Sequence, residues 1–433
     1  MTARNRELAG LVLAAVLAGV ALASVTIARD AEASTNAVVW GALFLGLYLV
    51  AHLVARRTVP DADGALLPLT AVLTAFGLAV NYRLDADDGG RQALWVAIGV
   101  GVLAATLIWL RHDYRVLEQY RYLFGVAAVV LLLLPSVPGL GERVNGVKLW
   151  VHVGPLQFQP GELAKICLIL FLAGYLREKR ESVARGRLKD LGPLLAIWGA
   201  AMLVIVQTND LGSALLNFGI FLAMLYVATG RTLYVGIGLL LFVAGAAALY
   251  NALDRVQNRV TIWLHPWTDE RVPCAINGQL ELRQDCASYQ LVKSLYSIAH
   301  GGFAGTGLGE GTFESTDGTP LIPFLRTDFI FSAIAQELGL IGAAALLLCF
   351  LLFVVRGMRI ALRAEDGFSK LLAAGLTFGF ALQTFIIVGG VLRVVPLTGI
   401  TLPFVSYGGT SVVANFLLLA GLLLVSQRAN RPR

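Results

Sequence analysis

Long apolar segments recur along almost the whole chain, and they limit the possible folds more than any other feature. A helix needs about 20 apolar residues to cross the hydrocarbon core of a membrane. Runs near that length predict about twelve spans and an all-α fold, a polytopic transmembrane helix bundle. The runs are residues 9–28, 36–55, 65–82, 92–110, 122–137, 160–176, 190–207, 211–229, 232–250, 325–355, 368–392 and 401–425.

The composition excludes a soluble globular chain. Hydrophobic residues make up 57% and charged residues 14% of the 433 residues, and a soluble chain of this size needs more charge to cover its surface. We interpret the formal net charge of +6 as a determinant of membrane orientation, so no nucleic-acid partner is expected. The first apolar run resembles a signal peptide, but further spans follow it, and we interpret it as a retained anchor.

Lysine and arginine residues are distributed unevenly among the connections between the runs. Positive residues favour the cytoplasmic side of a membrane. With the N-terminus in the cytoplasm and alternating sides, the basic clusters at 56–57, 177–189 and 356–370 lie inside and the acidic segment 85–88 lies outside. This predicts a multi-pass protein of the cytoplasmic (inner) membrane with both termini in the cytoplasm. Its parts are an N-terminal tip with two additional helices (1–63), a core (64–433) and, within the core, an extracellular loop (251–323).

The predicted extracellular loop is the one long polar segment of the chain. A loop of this length is usually functional or disordered, and its aromatic residues argue against disorder. Cys274 and Cys286 lie in it, on a side of the membrane where thiols oxidise. They form either a disulfide or two unpaired thiols in a flexible insertion. Cys167 and Cys349 lie in apolar runs and are interpreted as packing residues.

Three ionisable residues interrupt apolar runs near the predicted outer surface. Glu162 and Lys165 are spaced to share one helix face, either as a structural ion pair or as the lining of a polar cavity. Asp210 lies in a short polar break, where it either caps the next helix or joins a buried charged network. Charged groups at membrane depth are costly, so function is the default interpretation.

The last predicted outer turn, residues 389–411, combines prolines and glycines at membrane depth. Irregular backbone is tolerated there only when it is buried in protein or lines a wet cavity. Arg393 lies in this turn, as a cation suited to phosphate or as an interfacial side chain. Thr327 and Asp328 precede an apolar run and are candidates for its N-cap or for shaping a site.

These motifs together resemble the SEDS glycosyltransferases (shape, elongation, division and sporulation), the RodA/FtsW group, and are closer to actinobacterial RodA-type members. They occur in family order over about residues 66–427, although each motif alone is weakly specific. The matching stretches are Asn145–Trp150, Phe158–Lys165, Asn209–Gly212, Arg259–Val260, Pro266–Asp269, Tyr289–Gln290, Thr327–Phe331, Glu337–Gly339 and Pro396–Gly409.

The resemblance implies a polymerase of lipid II, the undecaprenyl-diphosphate disaccharide-pentapeptide, with a class B penicillin-binding protein transpeptidase and membrane lipids as partners. An α-linked donor and a β-linked product imply inversion with one general base, Asp269, for which Asp285 is the competitor because the loop is expanded here. A divalent cation, Mg²⁺ or Mn²⁺, is possible, but no ligand cluster is visible. The expected substrate-binding residues are Glu162, Lys165, Asp210, Arg259, Arg326, Thr327, Asp328, Arg393 and Ser406.

The chain departs from the family pattern in two further places. The family usually has about ten spans, and two more precede them here. Ile387 and Arg393 stand where many members carry Asn and Gly. Two other functions fit part of the pattern, namely a lipid II flippase, since intramembrane charges and broken helices also mark transporters, and a scaffold that positions a synthase. A flippase does not need an acidic residue in a long outer loop, and a scaffold leaves the buried Glu162, Lys165 and Asp210 unexplained.

Overall fold

The computed structural model describes residues 3–30, 35–144, 147–153, 156–185, 188–274, 279–314 and 319–431. The motif residues Asn145 and Gly146 lie outside these ranges. The helices are α1 (Ala3–Asp30), α2 (Thr35–Thr58), α3 (Leu66–Leu84), α4 (Ala86–Leu110), α5 (Val116–Gln119), α6 (Arg121–Leu133), α7 (Pro160–Ala184), α8 (Leu188–Gln207), α9 (Leu211–Thr229), α10 (Thr232–Ala252), α11 (Asp254–Leu264), α12 (Tyr289–Gly301), α13 (Ile330–Arg363), α14 (Gly367–Val391) and α15 (Gly409–Ala429).

The predicted helical membrane bundle is confirmed, and each of the twelve predicted runs overlaps a helix, although the runs 325–355 and 401–425 begin in irregular backbone before α13 and α15. Within the described ranges, nine helices are long and apolar enough to cross a membrane. The other three runs correspond to α6 and α8, whose apolar parts are shorter, and to α7, whose second half is charged. The count of twelve spans therefore stays a prediction.

Two small antiparallel sheets in the connections were not predicted. Strands β1 (Gly141–Val144), β2 (Val147–Val153) and β3 (Leu156–Phe158) lie between α6 and α7. Strands β4 (Arg271–Pro273) and β5 (Leu280–Leu282) form a hairpin in the long loop. β-Branched residues favour such pairing, but strands this short are hard to recognise beside the apolar runs. The long loop also contains α11 and α12.

Burial separates the helices that form the core from those that face lipid. The central helices α14 and α15 are buried along most of their length, whereas α10 exposes nearly all of its apolar side chains. A helix that is apolar all round either lies inside a protein or contacts lipid. The bundle therefore has α14 and α15 near its centre and α10 on its rim.

Contacts between distant connections assign them to two ends of the bundle. Arg326, at the end of the long loop, binds Asp85 in the α3–α4 turn, with 2.8 Å between Nη1 and Oδ2. At the other end, Gln427 donates to Asp61 at 2.9 Å and Arg356 approaches Asp63 at 3.4 Å. Connections predicted to share one side of the membrane thus lie together, and which end faces the cytoplasm stays a prediction.

The two additional N-terminal helices are joined to the core by buried polar contacts. α1 packs against α2 and α3. At its start, Nε of Arg4 donates to the Pro60 carbonyl at 3.1 Å, and Arg4 also pairs with the buried Glu7. Nδ1 of His52 lies 2.7 Å from Oε1 of Glu7. Buried charges are stable only when paired, so this cluster fixes the register of α1 and α2 against the core.

Candidate active site

The backbone between α14 and α15 is irregular, as the prolines and glycines predicted. Residues 392–408 form this broken segment, in which Arg393 and Phe404 have positive φ values of 60° and 64°. The hydroxyl of Ser406 accepts from the Leu402 amide at 2.9 Å and donates to the Thr327 carbonyl at 2.6 Å. Ser406 is 2% exposed. Its hydroxyl thus closes a turn and ties the broken segment to the end of the long loop.

Glu162 and Lys165 form an ion pair of 2.8 Å in the first turns of α7. Nζ of Lys165 also donates to Oε1 of Gln383 at 2.6 Å, and the Gln383 amide donates to the Thr401 carbonyl at 2.9 Å. The network joins α7 to α14 and to the broken segment. Gln383 was missed by the sequence analysis, although a polar residue in the middle of an apolar run was a usable signal.

Removing the charge of Lys165 is expected to destabilise the fold. Lys165→Met leaves Glu162 as an unpaired carboxylate that is only 11% exposed, and breaking a buried pair costs about 3–5 kcal/mol. The double variant Glu162→Gln/Lys165→Met removes both charges and should recover most of that loss. Thermal unfolding of the purified variants in detergent measures the effect. A single variant as stable as the unsubstituted protein would contradict a buried pair.

Asp210 caps α9 and also faces other charges. Its Oδ1 accepts from the Ser213 amide at 3.0 Å. Burial raises the pKa of the Asp210 carboxyl, with nearby Glu162 acting in the same direction and Arg259 opposing it. Asp210 therefore caps α9 and lies close enough to Glu162 and Arg259 for their charges to act on it.

A small hollow beside Asp210 connects it with the β1–β3 sheet. Thr208, Gln159 and Lys148 contribute to its lining. Lys148 lies on β2 within the stretch Asn145–Trp150, and the sequence analysis gave it no role. The sequence indicates a role for Lys148 only weakly, because a single lysine next to apolar residues in a loop does not reveal which group it contacts.

Arg259 and Asp328 bring the long loop to this charged group. Nη1 of Arg259 donates to the Thr398 carbonyl in the broken segment at 3.4 Å. Burial lowers the pKa of the Arg259 guanidinium, an effect that Asp210 and Asp328 oppose. Burial raises the pKa of Asp328 to about 6, with Thr327 and Arg259 opposing the rise. Arg259 thus lies close enough to Asp210 and Asp328 for their charges to act on it, and its hydrogen bond ties it to the broken segment.

The raised pKa of Asp328 predicts a pH-dependent stability. Unfolded Asp328 loses its proton near pH 4, whereas the folded protein retains it until about pH 6. The folded state holds more protons between these values, so the free energy of unfolding should fall as pH rises from about 4 to about 6. Asp328→Asn should remove this step, making the variant more stable than the unsubstituted protein at pH 7. Melting temperatures across this range that run in parallel for both proteins would contradict the raised pKa.

Two of the predicted substrate-binding cations form contacts within the protein itself. Arg326 binds Asp85 and also Asp88, so it fixes the end of the long loop to the α3–α4 turn. Arg393 donates from Nε to the Trp263 carbonyl at 2.7 Å and from Nη2 to the Leu264 carbonyl at 3.0 Å. These are the last carbonyls of α11, where a cation is favoured. The hydroxyl of Thr327 donates to the Phe324 carbonyl at 3.2 Å.

The capping of α11 by Arg393 also orients the segment that carries Asp269. The Arg393 guanidinium lies 5.3 Å from the ring centroid of Trp267, two residues before Asp269. Asp269 is exposed and forms no hydrogen bond or ion pair with the other described residues. Its carboxylate is therefore accessible from outside the protein, on a segment whose Trp267 packs against the Arg393 guanidinium.

A β-hairpin follows Asp269 and lies between it and Asp285, the other candidate general base. Arg271 pairs with Leu282, and the Arg283 amide donates to the Glu270 carbonyl at 3.0 Å. Asp269 and Asp285 therefore flank the base of the same hairpin, and both are exposed. A salt bridge of 2.6 Å between Glu270 and Arg283 closes it.

Cys274 and Cys286 are joined by a disulfide across this hairpin, with 5.5 Å between their Cα atoms. Together with Glu281 they form the only close group of three potential metal-ligating side chains in the described ranges. The disulfide removes both sulfur ligands.

The predicted site residues thus fall into two groups in the structure. One group surrounds the broken segment, at the end of the bundle that carries the long loop. The other group holds the loop in place. The first consists of Glu162, Lys165, Asp210, Arg259 and Asp328, and the second of Arg326, Thr327, Arg393 and Ser406.

Known proteins share both the sequence and the fold. The family model FtsW/RodA/SpoVE, described as cell cycle protein, matches residues 63–431. The peptidoglycan glycosyltransferase RodA of Mycobacterium tuberculosis is 39% identical, over 100% of this chain and 92% of the relative. The stage V sporulation protein E of Bacillus subtilis is 34% identical, over 87% of this chain and 99% of the relative.

Two solved structures resemble the bundle. A chain from a structure described as "Structural coordination of polymerization and crosslinking by a peptidoglycan synthase complex" is 26% identical, with a TM-score of 0.68 over 86% of this chain and 99% of that chain. The crystal structure of the rod shape determining protein RodA of Thermus thermophilus is 23% identical, with a TM-score of 0.58 over 86% of this chain and 98% of that chain. The second likeness supports the fold alone.

Proposed function

The chain belongs to the FtsW/RodA/SpoVE family and is a multi-pass membrane peptidoglycan glycosyltransferase, and from this we propose that it polymerises lipid II at the outer face of the cytoplasmic membrane. The observation that carries the proposal is the charged group around residues 392–408, which lies at the same end of the bundle as the loop bearing Asp269. The proposed orientation has both termini in the cytoplasm.

The reaction is an in-line displacement at the anomeric carbon of the donor sugar. Asp269 accepts the proton of the acceptor 4-hydroxyl, whose oxygen forms the new bond to that carbon. The bond from the carbon to the diphosphate oxygen breaks, and its electron pair leaves with the undecaprenyl diphosphate. One general base suffices, because the leaving group needs charge neutralisation rather than a proton. A positioned base contributes about 10²–10⁴-fold.

Arg259 is the cation best placed to receive the leaving diphosphate. Among the four cations suggested by the sequence, Arg326 and Arg393 are bound to other groups, and Lys165 is paired with Glu162. Arg259 contacts the protein through a carbonyl at 3.4 Å, which leaves most of its donors for phosphate oxygens. A guanidinium matches two phosphate oxygens at once.

A purified, full-length sample in detergent tests the proposed reaction. Incubation with lipid II should give glycan chains without any other glycosyltransferase, and Mg²⁺ or Mn²⁺ should increase the rate by neutralising the diphosphate. A flippase would make no chains, because it only moves lipid II from one side of a membrane to the other, and a detergent solution has no such sides. A scaffold would make chains only when a synthase with its own glycosyltransferase is added. No product under any of these conditions would overturn the proposal.

A class B penicillin-binding protein is the proposed partner. The similarity to a chain of a peptidoglycan synthase complex, whose description couples polymerization and crosslinking, supports this choice. A transpeptidase must act on the strands where they emerge, which favours contact near the long loop. Co-purification of the two membrane proteins, and loss of the complex when the loop is altered, would test the pairing.

A further inference from the structure

A charged cleft lies at the end of the bundle opposite to the long loop. The α3–α4 turn binds Arg326 of that loop, so the far end of α4 lies a helix length away. There, the connection from α4 to α6 and the charged half of α7 enclose about 590 Å³. Three arginines and two carboxylates dominate the lining, namely Arg115, Arg121, Arg177, Asp113 and Glu118.

Asp113 and Glu118 form ion pairs with two of these arginines but leave some of the guanidinium N–H donors free. Arg115 pairs with Asp113 at 2.8 Å, and Arg177 pairs with Glu118 at 2.9 Å. Arg177 is 53% exposed, whereas Glu118 is 16% exposed. A guanidinium has five N–H donors, and the ion pair with Glu118 occupies one side of Arg177. The cleft therefore offers fixed cations with free donors to an anion.

Helix α6 begins inside this cleft. Its first residue, Arg121, pairs with Glu178 of α7 and has a buried Nε that finds no acceptor among the described residues. The preceding residue, Tyr120, provides no side-chain cap. The first amides of a helix attract anions through the helix dipole. The start of α6 thus adds a second source of positive potential to the arginines.

An exposed apolar stripe runs along α6 away from the cleft. Tyr122, Leu123, Val126 and Val130 are each more than two-fifths exposed, and their spacing places them on one side of the helix. The Arg121 guanidinium lies 5.1 Å from the ring centroid of Tyr122. The polar cleft and the apolar stripe are therefore continuous at the start of α6.

We propose that this cleft binds the phosphate headgroup of an anionic phospholipid, whose acyl chains lie along the stripe of α6. Exposed aromatic residues mark the level of membrane headgroups, and Trp109 and Tyr120, which are 78% and 54% exposed, flank the cleft in sequence. Basic pockets between transmembrane helices are a known mode of headgroup binding. An acidic protein segment would meet the same arginines but leave the apolar stripe unused, so the lipid fits both features.

Lipid titration of the full-length protein tests this site. Native mass spectrometry in detergent would follow binding of phosphatidylglycerol, with phosphatidylcholine as the neutral lipid. Arg115→Gln/Arg177→Gln should weaken phosphatidylglycerol binding at least about tenfold, because two of the three cations that line the cleft lose their charge. The matched control is Arg185→Gln/Arg231→Gln, which removes two exposed arginines outside the cleft and should leave binding unchanged. Unchanged melting temperatures would show that the variants are folded.

Three results would overturn the proposal. Equal affinity for the two lipids would show that the cleft does not select charge, and equal weakening in both double variants would show only a general loss of positive charge. Tighter, arginine-dependent binding of a soluble poly-glutamate peptide would assign the cleft to an acidic protein segment. None of these measurements uses lipid II polymerisation, so failure here is distinct from failure of the proposed reaction.

Discussion

Asp269→Asn is expected to abolish glycan polymerisation from lipid II while the protein remains folded in the membrane. Asparagine keeps the shape of the side chain but cannot accept the proton of the acceptor hydroxyl, and loss of a general base typically costs about 10²–10⁴-fold. Asp269 is exposed and forms no contact that holds the fold among the described residues. The melting temperature should therefore not change. Separation of the glycan products on gels measures the rate.

Asp285→Asn is the matched control for that experiment. Asp285 flanks the base of the same hairpin and is equally exposed, so the two substitutions remove the same charge from nearly the same place. Only the change at Asp269 should stop the reaction. Normal polymerisation by Asp269→Asn would exclude Asp269 as the base, and loss in Asp285→Asn alone would assign that role to Asp285.

Arg259→Gln is expected to lower the rate of polymerisation by about 10²–10³-fold, the range seen when one group that stabilises developing charge is removed. Negative charge on the diphosphate grows as the donor bond breaks, so the loss should fall mainly on kcat. Arg259→Lys should recover part of the rate, because it restores the charge but not the planar fork of donors. Initial rates at varied lipid II concentrations separate kcat from KM.

Arg255→Gln serves as the control for charge on the same helix. Arg255 lies one turn before Arg259, and its proximity lowers the pKa of the Arg259 guanidinium. Its substitution should change the rate less than about tenfold. A similar loss in both variants would indicate that overall positive charge on α11, rather than the position of Arg259, supports the reaction.

The helical bundle could be predicted from sequence because its signal is local. Each span is a run of apolar residues, and the alternation of basic connections correctly grouped the loops at the two ends of the bundle. The break in residues 392–408 was also visible, since prolines and glycines interrupt the helical pattern there. The small sheets were missed because β1 to β5 are short and lie in connections.

The partners of the charged residues could not be predicted, because they come from distant parts of the chain. Arg326 was a plausible substrate ligand from sequence, yet it binds Asp85, which lies 241 residues away. Arg393 was equally plausible, and the carbonyls at the end of α11 engage it instead. Sequence shows which residues are charged, whereas only the fold shows which charges are already paired.

The most direct test of the central claim is the structure of the Asp269→Asn variant bound to lipid II, determined by electron cryo-microscopy. We expect one lipid II with its diphosphate against Arg259 and another with its sugar 4-hydroxyl within hydrogen-bonding distance of residue 269. Both should lie at the end of the bundle where Glu162, Lys165, Asp210 and Asp328 gather around the broken segment. A diphosphate bound elsewhere, with residue 269 remote from both sugars, would contradict it.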